Sequence, residues 1–181
     1  DLAEAKRLMN KHGLERVLVI NDDFELRGLI TVKDIQKSTE HPFASKDARG
    51  QLRVGAAVGV GPDNEARIDL LVKAGVDEIG LSDTSGMANP EQVRRLFKKV
   101  RAAIGDKTGA AHMHNTRGLG LANCLAAYEA GVTTFDSSQG GLGGCPYAPG
   151  ASGNVVTEDL VFMFESMGVH TGIDLERLFA A

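Results

Sequence analysis

RVGAAVGVGPDNEARIDLLVKAGVDEIGLSD, residues 53–83, decides the fold. RVGAAVGVG (53–61) is an apolar run ending in glycines, the length of a buried strand and too short for a buried helix. Pro62 and Asp63 are residues that open a helix, predicted over 63–74, and Gly75 closes it. DEIGLSD (77–83) is a second strand. Strand, helix and strand in about thirty residues form a crossover unit, which makes the two strands parallel.

The alternation continues toward the C-terminus. PEQVRRLFKKVRAAIG (90–105) is an amphipathic helix, GAAHMHN (109–115) a strand, LGLANCLAAYEAG (119–131) a helix and VTTFDSS (132–138) a strand. VVTEDLVFMFESMG (155–168) and DLERLFAA (174–181) are helices, each with an acidic or hydroxyl cap expected at its start. The predicted fold class is α/β, a partial (β/α) TIM-type barrel of about four parallel strands. A closed barrel of this type has eight strands and typically about 250 residues. The chain has 181.

Residues 1–38 read differently. Leu2, Ala5, Leu8 and Met9 recur at helical spacing up to Gly13. RVLVIND (16–22) reads as a buried strand, LRGLITV (26–32) as its hairpin partner, and Asp34 opens a short helix. Residues 39–52 lack periodicity and read as a linker before the barrel segment at 53–181.

Composition excludes several roles. A net charge of −4, 5% aromatics and no tryptophan leave no footprint for nucleic acid. No apolar run approaches the ~20 residues that span a bilayer, so no membrane partner is expected. Cys124 and Cys145 make no disulfide framework, and no signal-peptide pattern is present, so a cytoplasmic location is expected. A chain opening on Asp1 is expected to be a fragment.

The candidate chemistry lies at strand ends. His112 and His114 are two apart on a strand and share a face, so both imidazoles can address one ion; a pair of surface or core histidines is the alternative. Asp83 ends the preceding strand, as an active-site carboxylate or as a turn cap. SSQGGLGGCPYAPGASGN (137–154) is too irregular for helix or strand and suits close backbone approach to a ligand. Within it, Cys145 is a candidate for proton transfer or nucleophilic attack, or an inert thiol in a turn. Asn154 offers a carbonyl oxygen to a hard cation, or an N-cap to the next helix. Cys124 falls on an apolar helix face and reads as core.

EIGLSDTSGMANP, AHMHNTRGLGLAN and FDSSQGGLGGCPYAPGASGNVVTEDL make residues 77–181 closely resemble the C-terminal part of hydroxymethylglutaryl-CoA lyase. The resemblance implies a divalent metal, Mg²⁺ or Mn²⁺, on His112, His114 and Asn154. It implies that Cys145 moves a proton, that Asp83 is an active-site aspartate, and that the substrate is an acyl-CoA. The implied reaction splits 3-hydroxy-3-methylglutaryl-CoA into acetyl-CoA and acetoacetate. The family's first-strand Arg-Asp pair has no counterpart in this sequence, which implies weakened catalysis. Residues 1–76 resemble inosine-5′-monophosphate dehydrogenase: the tail of a CBS module, carried by GLITVKD (28–34), then the return into a barrel. That implies weak adenine-nucleotide contacts at Thr31 and Asp34. The resemblances meet at AGVDE (74–78), as in a chimera of two partial enzymes. A dehydrogenase fragment and a non-catalytic chimera are the alternative readings, and a homodimer covering open sheet edges is expected.

Overall fold

The computed structural model describes residues 2–61, 63–145, 147–148 and 150–181. Pro62, expected to open a helix, and Pro146, beside Cys145, lie outside the described residues. The chain divides into two compact units, Asp1–Leu52 and Arg53–Ala181.

The first unit contains α1 (Leu2–His12), β1 (Arg16–Ile20), β2 (Leu26–Thr31) and α2 (Val32–Glu40). β1 and β2 pair antiparallel, Val17 against Ile30, with a bulge that sets Ile20 opposite Leu26. Ala5 and Met9 of α1 are its buried apolar residues among those described. The buried strand expected at 16–22 is a correction: Leu18 is 67% exposed. Two strands and two short helices hold too little surface to cover both faces of a hairpin. α2 also runs to Glu40, into the stretch expected as linker.

The second unit holds β3 (Gly55–Gly59), α3 (Asn64–Ala74), β4 (Glu78–Asp83), α4 (Pro90–Ile104), β5 (Thr108–Met113), α5 (Gly120–Glu129), β6 (Phe135–Asp136), α6 (Thr157–Ser166) and α7 (Leu175–Ala180). The four strands form one parallel sheet in chain order. This is the expected partial barrel.

Local chemistry explains the boundaries. Gly75 ends α3 in the left-handed region at φ 83°, donating to the Leu71 and Val72 carbonyls. Asn89 caps α4 by accepting from Gln92 N–H, with Pro90 in the first turn. At Gly80 a Cβ would lie 2.7 Å from the Ala110 carbonyl oxygen, so β4 and β5 approach closely only because Gly80 has no side chain.

Two expectations change. The strand predicted at 132–138 shortens to Phe135–Asp136, because β6 has a full partner only in β5; beyond it, Ser138 makes one isolated bridge to Val156. α6 starts after Val156 with no side-chain cap, whereas Asp174 does cap α7.

Along β4 and β5 burial alternates with period two. Ile79, Leu81, Ala111 and Met113 are fully buried in the core with Leu96 and Phe97 of α4. Gly80, Ser82, Ala110 and His112 occupy the other face, which forms a shallow concavity of about 210 Å³. This places His112 on the face that a closed barrel would turn inward.

Candidate functional site

The site lies at the C-terminal ends of β4, β5 and β6, where barrel folds place their chemistry. β5 delivers His112 to the open face, and the chain leaves the strand through His114, which is buried. Parallel register sets Ser82 and Asp136 on either side of His112. His112 Nδ1 lies 2.5 Å from Asp136 Oδ1. On the other side, His112 Nε2 and His114 Nε2 face each other at 3.1 Å, with the rings edge to face. Burial holds the His114 ring below the usual imidazole range; neighbouring His112 adds to this, while Asp83, the Ser152 backbone and Asp136 oppose it.

The glycine-rich segment folds back onto this strand end. Asn115 N–H donates to Gly153 O, Val155 N–H donates to Met113 O, and His114 bridges Asn154. The packing is tight: a Cβ at Gly153 would lie 2.1 Å from the Gly141 carbonyl oxygen. Asn154 Nδ2 donates to Leu142 O at 2.9 Å, and Asn154 Oδ1 is buried with no hydrogen-bond partner among the described residues. The N-cap alternative for Asn154 fails, because α6 begins three residues later and Val156 stands at its N-cap position.

The remaining candidates sit differently. Asp83 is fully buried, and its oxygens accept from Met87 and Ala88 N–H at 3.1 and 3.0 Å. Its carboxylate therefore closes the turn before α4, while its charge acts on His114. Cys145 is half-buried in the loop, and among the described residues no hydrogen bond joins its thiol to either histidine. Cys124 is core, and burial pushes its thiol up to about 12. In the first unit, Thr31 and Asp34 form a capping box: Thr31 N–H and Oγ1 both donate to Asp34 Oδ2.

Two residues escaped the sequence reading. Asp136 carries a signal, an acidic residue on the next strand, but its pairing needs the register of β5 and β6. Asn123 is buried on α5 and donates to Ala88 O; its sequence context, an apolar helix, marks only a core position.

The donor set fits a divalent ion. Two ligands on adjacent corners of an octahedral ion, each about 2.1 Å away, are about 3 Å apart. The facing Nε2 atoms have that separation. Asn154 Oδ1 adds a free acceptor of the hard type. Among the described residues no three His, Cys, Asp or Glu side chains group as a metal cluster; the candidate donors are the two imidazoles and the Asn154 amide oxygen.

Fold and strand-end cluster define a β/α-barrel protein with its polar site at the C-terminal rim. The HMGL-like family model matches residues 35–181, and a CBS domain model matches 1–40. The chain belongs to the HMGL-like family. That match runs through 53–76 and through the 74–78 stretch where the two sequence resemblances meet. An (R)-citramalyl-CoA lyase of Chloroflexus aurantiacus is 44% identical over 77% of this chain and 47% of its own length. The hydroxymethylglutaryl-CoA lyase YngG of Bacillus subtilis is 48% identical over 62% and 38%. A solved HMG-CoA lyase from Acinetobacter baumannii, in complex with coenzyme A and 3-methylmalate, superposes with a TM-score of 0.63 at 40% identity, covering 82% of this chain and 52% of that one. The dehydrogenase-like resemblance finds a weaker echo in a Trypanosoma brucei GMP reductase, with a TM-score of 0.52 at 29% identity over 75% of this chain and 29% of that one. The chain spans under half the length of the two curated relatives. No described helix is long and apolar enough to cross a membrane.

Proposed function

We propose that this chain carries the metal-binding part of a lyase site that cleaves a 3-hydroxyacyl-CoA, with 3-hydroxy-3-methylglutaryl-CoA yielding acetyl-CoA and acetoacetate. The observation that supports it is the facing pair of Nε2 atoms, 3.1 Å apart, on the strand end bridged to Asn154. His112, His114 and Asn154 would hold Mg²⁺ or Mn²⁺. Such an ion polarises substrate oxygens and offsets the charge that develops on them. In the cleavage a base takes the C3 hydroxyl proton, the C2–C3 bond breaks, and C3 becomes a carbonyl. The bond's electron pair passes into the thioester enolate, which is protonated at C2. Cys145, on the loop folded against the strand end, is assigned that proton transfer. Asp83 fixes the turn beside the histidines and lends its charge to His114.

Mn²⁺ titration followed by electron paramagnetic resonance, with wild type and His112→Ala in parallel, tests the metal site, and acetoacetate release tests the chemistry. The expected result is a loss of affinity of at least about tenfold in the variant. Equal affinities would overturn the reading.

We also propose a homodimer. Among the described residues β3 and β6 each have one strand partner, so backbone groups at both edges of the sheet are open to pairing. Sedimentation velocity over a concentration series should show self-association; a stable, cooperative monomer throughout would count against it.

A further inference from the structure

We propose that Asp136 is a positioning residue that fixes which ring nitrogen of His112 carries the proton; the inference rests on the metal-site reading only for its consequence. Three side chains stand in a row at the rim of the sheet: Asp136, His112 and His114. The row is built by the backbone. Parallel register sets Asp136 beside His112, and alternation along β5 turns His112 toward the face on which Asp136 is exposed. Asp136 Oδ1 sits 2.5 Å from His112 Nδ1. An ionised carboxylate only accepts, so the proton between them belongs to Nδ1. A neutral imidazole carries one N–H, so Nε2 is left with its lone pair. That lone pair points toward His114, 3.1 Å away.

Free imidazole side chains favour the opposite tautomer, with the proton on Nε2. Without Asp136, His112 would present a proton where a ligand atom is needed. A carboxylate behind a ligating histidine also raises the ring's basicity and fixes its orientation, and losing such a partner typically costs about 10–100-fold in metal affinity.

The test uses the full chain with Asp136→Ala and Asp136→Asn, both checked for native far-ultraviolet dichroism and unchanged thermal unfolding. Nitrogen-15 spectra of the imidazoles, taken without metal in mildly alkaline buffer where free imidazole is neutral, report the tautomer directly. The wild type should show protonated Nδ1 and bare Nε2 at His112, and Asp136→Ala should shift that ring toward protonated Nε2. Asp136→Asn, which keeps an uncharged acceptor, should fall between. Mn²⁺ affinity should drop about tenfold or more in Asp136→Ala. A His112 ring with the same tautomer in wild type and both variants overturns the assignment. If the alanine variant does not fold, the asparagine variant alone decides it by the same criterion. A wild type that shows the Asp136-dependent tautomer yet binds no Mn²⁺ defeats the metal-site reading and leaves the positioning role standing.

Discussion

Both units contain short apolar strands, and only one unit buries them. RVLVI in β1 is the more hydrophobic string, yet Leu18 and Ile20 stay largely in solvent. GAAVG in β3 is glycine and alanine at four of its five positions, yet Val58 is buried in the core of the second unit. The difference lies in what packs against the strand. α3, α4 and α5 line one face of the four-stranded sheet, and Phe97, Leu96 and Val93 fill the layer between. The hairpin of the first unit has no comparable layer. Apolar character selects a strand, but a second layer decides whether the strand is buried.

Mutations should sharpen this contrast. Phe97→Ala removes a fully buried ring and should lower the stability of the second unit by about 3–5 kcal/mol, read by urea titration. Smaller in structural effect, but easily measured, is the difference between the two thiols. With its thiol near 12, Cys124 holds about a thousandfold less thiolate than an ordinary cysteine at neutral pH. Ellman's reagent should therefore modify Cys145 in the native protein and reach Cys124 only on unfolding. Smallest is Leu18→Ser in the first unit, where an exposed position predicts a change within about 0.5 kcal/mol. Equal shifts for Phe97→Ala and Leu18→Ser would erase the distinction between the units.

Much of this organisation was legible in the residues. The strand and helix alternation from residue 53 follows from apolar runs punctuated by Gly75, Pro90 and Gly105, whose backbone preferences act locally. His112 and His114 could be placed on one face because strand periodicity is also local. What escaped depends on pairing between distant segments: Asp136 meets His112 only through the register of β5 and β6. Asn154 was named as a candidate, but the bridge that brings it to His114 forms only when the glycine-rich segment folds back. Asp83 was ambiguous for another reason: a strand-end aspartate serves catalysis or a turn equally well, and only the two bonds from Met87 and Ala88 show that it holds the turn. Thr31 and Asp34 are similar, since the pair that the resemblance to a CBS module implies for nucleotide contact also has the spacing of a capping box.

The glycine-rich segment is tied at its mouth. Ser138 N–H donates to Val155 O, Thr157 N–H donates to Ser138 O, and Asn115 N–H donates to Gly153 O. Its outer part, by contrast, carries Tyr147 with 93% of its surface in solvent. A protease that cuts at Tyr147 would sever the chain without separating the pieces, because the bonds at the mouth and the packing of α6 lie on both sides of the cut. The two fragments would elute together in buffer and part only in denaturant, which makes this loop a natural place to split the protein into complementing halves.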